Sequence, residues 1–286
     1  MTVWEALILG IIQGIFMFFP VSSTSHLVLV QHWLLERGAV FPFPDSPEMI
    51  AFDLVVHVGT VVSIIFVFRK SLVKLVHKTR LDFGKWKRGE VPLKETLHLK
   101  LMGLGLFAVA ITGIVGLPLK SLLEKAFAHP LLIAPTLTIT GILLWATDIL
   151  PPRPRGLRDL GLWLAFIIGL AQALALLPGI SRSGITIVVA LLGGLKRRWA
   201  AEFSFFIAIP TILGAAFIHG LEIHFSTGLA GLDWTALVVG FLTAAVVGII
   251  ALHIVITLLY RAQFRFFSYY VWTLAAIIVI LHLFNS

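Results

Sequence analysis

Apolar runs of membrane-spanning length alternate with short polar or basic stretches along the whole chain. Full spans are expected near 49–68, 99–117, 130–149, 199–218, 235–258 and 267–284, since about 20 apolar residues carry a helix across a bilayer. Two further apolar segments, about 3–33 and 161–195, are broken in the middle. Ala6 to His26 reads ALILGIIQGIFMFFPVSSTSH, and Ala165 to Ile185 reads AFIIGLAQALALLPGISRSGI. Each is an apolar run with a Gly, a Gln three residues later, then a Pro and a cluster of hydroxyls. Gly10 and Gln13 match Gly169 and Gln172 at an offset of 159, and Pro20 matches Pro178 at 158. In a membrane chain, two hydrophobic segments interrupted at corresponding positions point to a binding site at the interface of a repeat.

Composition fixes the class. Hydrophobic residues make up 59% and charged residues 13% of the 286, so the chain reads as an all-α polytopic membrane protein. It is expected to be one integral membrane domain over 1–286, with pseudo-repeats of about 1–149 and 161–286. The first apolar run does not read as a cleaved signal peptide, because it lacks a basic leading segment and itself carries the polar motif. There are no cysteines, which excludes disulfides and thiolate metal sites.

Charge then orients the spans. The net charge is +8, and ten of the 22 Lys and Arg lie between Arg69 and Lys100. Others cluster at Arg153–Arg158, at Lys196–Arg198 and at Arg261 and Arg265. These bases sit in loops beside membrane spans, which argues against nucleic acid and places the loops in the cytoplasm. Loop 34–48, the short loop between 99–117 and 130–149, and loop 219–234 then face outside, as do both termini. The threading closes only if 3–33 and 161–195 each begin and end on one side. Both would be re-entrant helical hairpins, entering from opposite faces and meeting near the midplane, beside six full spans. Non-helical backbone at that depth needs cover from protein or water. The alternative is two ordinary Pro-kinked spans, which would leave Arg182 and several hydroxyls in the bilayer with no common site.

The tips carry the chemistry. After Pro20 come Ser22, Ser23, Thr24, Ser25 and His26, then an apolar helix; after Pro178 come Ser181, Arg182, Ser183 and Thr186. Ser or Thr ahead of an apolar run marks a helix start, and a helix start attracts anions. Arginine adds a rigid fork of donors matched to phosphate oxygens, and an ionisable residue inside a membrane is by default functional. The pattern describes a phosphate or diphosphate site. His26, beside Ser23, is a candidate proton carrier, or else a satisfied core histidine. Gln13 and Gln172 either line the site or bond helix to helix, on faces marked by Gly10-x-x-x-Gly14 and Gly169-x-x-x-Ala173. Asp53 and His57, one turn apart, and Glu202 either pair with Arg182 or a basic neighbour or lie exposed near a membrane boundary.

These motifs resemble the undecaprenyl-diphosphate phosphatase family, also called the bacitracin-resistance family. The resemblance covers nearly the whole chain and is strongest at Pro20–His26, Phe52-Asp53 through Thr60, Leu177–Thr186 and Ala201–Phe205. It implies a multi-pass enzyme of the bacterial inner membrane that removes one phosphate from a C55 polyprenyl diphosphate and so recycles the lipid carrier of cell-wall synthesis. It implies Ser23 as nucleophile, His26 as proton carrier and Arg182 as diphosphate clamp. Gln13, Ser22, Thr24, Ser25, Gln172, Ser181, Ser183 and Thr186 would bind substrate, with Asp53, His57 and Glu202 in support. The implied partners are the polyprenyl diphosphate lipid and the membrane, with a homodimer left open.

One departure bears on mechanism. The family's pair of acidic or Gln/Glu positions falls on Gln13 and Met17, and Ser25 replaces a Gly. The resemblance implies Mg²⁺ or Ca²⁺, yet a thioether is a poor ligand for these hard cations. A polyprenyl-phosphate transporter or flippase with little or no phosphatase activity is therefore the alternative, because inverted repeats meeting at the midplane are also a transporter plan. A carboxylate elsewhere that reaches the first tip, such as Asp53, would favour the enzyme.

Overall fold

The computed structural model describes residues 1–39, 42–43, 46–119, 131, 133–226 and 233–285. The expected loop between 99–117 and 130–149, with Lys120 and Lys125, lies mostly outside the described residues, as do parts of loops 34–48 and 219–234.

Every long described element is a helix, and several start where the sequence supplies a cap. Helix α1 (Val3–Phe16) opens on a capping box in which Thr2 accepts from the Glu5 N–H and Glu5 accepts from the Thr2 N–H. It breaks into the first tip, 17–22, and α2 (Ser23–Glu36) follows. Helix α3 (Pro47–Val67) is capped by Ser46, whose Oγ accepts from the Met49 N–H at 3.2 Å, with Pro47 at its first position. Next come α4 (Arg69–Lys87), α5 (Leu97–Gly116) and α6 (Ile133–Ile149). Helices α7 (Leu162–Leu174) and α8 (Arg182–Leu192) flank the second tip. Helices α9 (Arg197–Ser226), α10 (Trp234–Tyr260) and α11 (Arg265–Asn285) complete the order. Among the described residues, α3, α5, α9, α10 and α11 are the five helices long and apolar enough to cross a membrane. The protein is thus an all-α, multi-pass membrane protein.

Two elements depart from the pattern-based expectation. The span expected near 130–149 is described as the 17-residue α6, shorter than the five spanning helices. The basic stretch after α3, read as a loop, is mostly the 19-residue helix α4. Its lysines and arginines are good helix formers, and α3 runs into it after a single residue, Phe68. Asp82 pins it to the next span, taking the His98 N–H at 2.9 Å and so capping the start of α5.

Small residues bring the backbones together. A Cβ added at Gly10 would lie 2.9 Å from the Gly240 carbonyl, and one at Gly14 would lie 3.0 Å from that of Ala244, so α1 lies directly along α10. Helix α7 meets α5 in the same manner, with Gly169 against the Ala108 carbonyl at 2.6 Å. Helix α3 joins α10 through Gly59 and through Ser63, whose hydroxyl donates to the Ala245 carbonyl at 2.7 Å. These close contacts seat both broken helices against long helices, so each tip projects from a rigid base. The larger of two apolar clusters contains Met17, Phe18 and Val21 of the first tip together with Ile187, Ala190 and Leu191 of α8.

Candidate active site between two broken helices

The two tips touch. Ser22 sits in the left-handed region at φ 70° and ψ 87°, a conformation that costs a non-glycine residue energy and often marks a functional turn. Its side chain leaves α2 uncapped and instead accepts the Gly179 N–H at 3.1 Å across the gap between the tips. Ser183 donates to the Phe18 carbonyl at 3.4 Å. Gly179 has φ +91°, and a Cβ there would fall 2.0 Å from Thr136 Oγ1, so only glycine fits this turn.

The second tip is held from α6. Thr136 donates to the Pro178 carbonyl at 2.6 Å and Thr140 to that of Gly179 at 2.8 Å. Thr140 Oγ1 also accepts the Ser181 N–H at 3.3 Å. Ser181 caps α8 by accepting the Gly184 N–H at 3.2 Å. Sequence reading did not single out these two threonines, although their one-turn spacing on an apolar span was visible.

At the junction, the Met17 sulfur lies 3.6 Å from Arg182 Nη2 and 3.9 Å from Ser23 Oγ. A thioether is a weak acceptor, so neither group has a strong partner there. No carboxylate pairs with Arg182 among the described residues. Arg182 stands close enough to His57 to act on it electrostatically. An unpaired, half-buried guanidinium beside an uncapped helix start is a place for an anion.

His26 is placed by two bonds. Its Nδ1 lies 2.7 Å from the Ser22 carbonyl, which can only accept, so Nδ1 carries a proton. In the neutral ring, Nε2 is then an acceptor and takes the Tyr270 hydroxyl at 2.8 Å. Phe16 stacks on the imidazole at 4.0 Å between ring centroids. His26 was expected to serve Ser23, yet both ring nitrogens are engaged elsewhere. Tyr270, from α11, had no signal in the motifs, because it reaches His26 only through the packing of the last helix.

The remaining expected residues divide by geometry. Ser25 bonds Ser22 Oγ at 3.0 Å, and Ser181 and Ser183 lie 3.3 Å apart, so these hydroxyls belong to the tips. The Thr24 side chain makes no hydrogen bond among the described residues, and Thr186 donates to the Arg182 carbonyl of its own helix at 2.8 Å. Gln172 ties three helices together, donating to Thr112 at 3.0 Å and Thr211 at 2.9 Å. Gln13 has no such hydroxyls; it is fully buried with neither amide atom partnered among the described residues. It sits one turn before Met17. Asp53 accepts from Gln31 of α2 at 3.0 Å, and His57 donates from Nδ1 to the Asp53 carbonyl at 2.6 Å. Glu202 does not reach Arg182; Arg198, one turn earlier on α9, holds it at 2.9 Å.

The donor set fits a hard divalent cation poorly. Among the described residues no three His, Asp or Glu gather into a ligand cluster. At the junction, where an oxygen ligand would serve, stands the Met17 sulfur.

A family model described as bacitracin resistance protein BacA matches residues 6–277. The chain is 52% identical over 280 residues to an undecaprenyl-diphosphatase of Halorhodospira halophila, covering 98% of each. It is 54% identical over 280 residues to an undecaprenyl-diphosphatase of Alkalilimnicola ehrlichii, covering 96% of this chain and 95% of that one. An undecaprenyl-diphosphatase of Carboxydothermus hydrogenoformans is 35% identical over 282 residues, with 98% of each covered. The chain belongs to the bacitracin resistance protein BacA family.

Proposed function

We propose that this protein is an undecaprenyl-diphosphatase, a membrane hydrolase that converts the C55 polyprenyl diphosphate to its monophosphate and inorganic phosphate. One observation carries the reading: Arg182, without a carboxylate partner among the described residues, faces the same sulfur as Ser23 at the uncapped start of α2. The diphosphate supplies the missing anion. Arg182 and the N–H groups opening α2 hold the terminal phosphoryl oxygens and stabilise their charge as the bond to the lipid phosphate breaks. Ser23 Oγ attacks the terminal phosphorus, the polyprenyl monophosphate leaves, and water then releases phosphate from the serine. His26 moves the proton once its Nε2 exchanges Tyr270 for a reacting oxygen.

We read α1–α2 and α7–α8 as two re-entrant hairpins of an inverted repeat with six full spans. The matching of α1 on α10 with α7 on α5 supports this. Both termini then face outside, and a reporter fused to the C-terminus and found in the cytoplasm would overturn the orientation. A divalent cation, Mg²⁺ or Ca²⁺, would arrive on the diphosphate rather than on a protein ligand set, and no step above depends on it.

The test is phosphate release from C55 diphosphate by the purified protein in detergent, with Mg²⁺, with Ca²⁺ and with a chelator. No release while the lipid still binds would move the assignment to a polyprenyl-phosphate carrier or flippase.

Two variants refine the roles. Met17→Glu places a carboxylate where the sulfur now meets Ser23 and Arg182. Phosphate release should rise by roughly tenfold and depend more strongly on added Mg²⁺; no gain would count against an otherwise intact phosphatase site. Tyr270→Phe removes the donor that positions His26 Nε2. That bond is given up before the proton moves, so losing it, about 1.4 kcal/mol, should leave kcat unchanged or raise it by up to about tenfold, with KM little changed. A kcat that falls instead would show that Tyr270 stays on His26 through the reaction.

A further inference from the structure

A second site lies away from the tips. A cavity of about 770 Å³ opens between α4, α5, the 157–159 turn and α9. Its walls include Leu72 and Leu75 of α4, Leu101 of α5 and Phe206 of α9, while the bases Lys74, His98, Arg158 and Arg198 stand along its lining with two carboxylates, Asp159, which accepts the Gly156 N–H, and Glu202. An apolar volume of this size is that of a small-molecule site.

Helix α4 explains the combination. Leu72, Leu75, Val76, Thr79, Phe83 and Trp86 fall on one face, the neighbours Leu75 and Val76 flanking its midline, and Lys70, Lys74, Lys78 and Lys85 fall on the other. None of its residues is buried, and Trp86 is 44% exposed. The helix has seven bases against a single acid, Asp82, whose carboxylate is spent on capping α5. Nearby Glu90 is taken by Arg88. Among the described residues Lys70, Lys74, Lys78, Lys85 and Lys87 make no ion pair. A second depression, lined by Arg69, Lys70, Val73, Lys74 and His77, shares Lys74 with the cavity and continues the positive surface. A basic amphipathic helix of this kind lies in the headgroup zone of a membrane and attracts anionic lipid.

We propose that this cavity is a binding site for an anionic phospholipid, its phosphate on Lys74 and Arg158 and one acyl chain in the apolar space between α4, α5 and α9. Charge complementarity selects the headgroup, and the apolar walls select a lipid over free phosphate. Arg198 contributes less, because Glu202 already holds it at 2.9 Å. The site is separate from the diphosphate cradle and does not depend on the hydrolase assignment.

The test uses the full chain in detergent and native mass spectrometry with phosphatidylglycerol or phosphatidylcholine at equal concentration. Wild type should retain phosphatidylglycerol as a bound adduct in clear preference to phosphatidylcholine. Removing both charges in K74Q/R158Q should weaken that binding by roughly 25-fold, about fivefold per charge. Gly105 lines the cavity, and a Cβ there meets Ile207 at an ordinary 3.6 Å. Gly105→Leu therefore fills the cavity without touching the charges and should also displace the lipid. Both variants should elute as a single species and unfold at the wild-type temperature in the same detergent, which shows that they are folded. Equal retention of phosphatidylcholine, unchanged phosphatidylglycerol binding in either variant, or displacement of the lipid by millimolar inorganic phosphate would each overturn the proposal.

Discussion

Arg182→Ala lowers kcat/KM for phosphate release about 10³-fold, the scale seen when a preorganised donor is removed from developing charge. The surroundings of the guanidinium make it a substrate group. It opens α8, it is half-buried, and among the described residues the acceptor facing it is the Met17 sulfur at 3.6 Å. With no carboxylate beside it among the described residues, its charge is left for the diphosphate proposed to bind there. Burying an unpaired charge disfavours the folded protein, so the alanine variant should melt no lower than wild type. Loss of activity without loss of stability separates a substrate clamp from a structural residue. Arg182→Lys keeps the charge but loses the planar fork, and should recover only part of the rate. Phosphate release that survives in Arg182→Ala would sink the assignment of the clamp. Purified variants, assayed for phosphate release and for thermal unfolding in the same detergent, decide the matter.

Ser23→Ala should remove at least about 10³-fold of the rate, because deleting a nucleophile that acts with its neighbours as a unit removes nearly the whole chemical step. Ser23 is distinguished from Ser22 and Ser25 by its partners, and from Thr24 by its place beside the sulfur that also meets Arg182. Ser22 bridges to Gly179 and Ser25 bonds Ser22, so both are committed to the tip. Among the described residues Ser23 Oγ meets only a thioether, at 3.9 Å, and remains available for a phosphorus. The alanine variant keeps the tip bonds and should still bind the diphosphate lipid. Acid quenching of the wild-type reaction with substrate labelled in its terminal phosphate should trap labelled protein, and Ser23→Ala should trap none. If Ser23→Ala stays within tenfold of wild type, attack belongs to water and the serine is a binding hydroxyl.

Both predictions concern residues already conspicuous along the chain. Pro20 and Pro178 with their hydroxyl clusters, and an arginine in an apolar segment, announce themselves by local rules of helix breaking, capping and membrane cost. The five spanning helices among the described residues also lie where apolar length put them. The pattern was less informative for α4, where the density of charge concealed a helical apolar face. It was silent on Tyr270, 244 residues from His26, and on Thr136 and Thr140, about 40 residues from the turn they hold.

Residue order by itself therefore determined the helical class, the breaks and the polar residues gathered at each tip, because these depend on neighbours within a turn or two. Which atoms meet was decided only by tertiary structure. Gly10 and Gly14 let α1 settle on α10, and Gly169 lets α7 settle on α5. Those close approaches bring Ser22 to Gly179 and Met17 to Arg182, contacts across 157 and 165 residues. The same packing holds Gln172 between two threonines and leaves Gln13 unpartnered among the described residues, although both glutamines occupy the same place in a repeated motif. It gives Glu202 to Arg198 instead of Arg182. A hydrogen bond forms only within about 3 Å, and at that range the partner is chosen by how rigid helices pack, which no local pattern encodes.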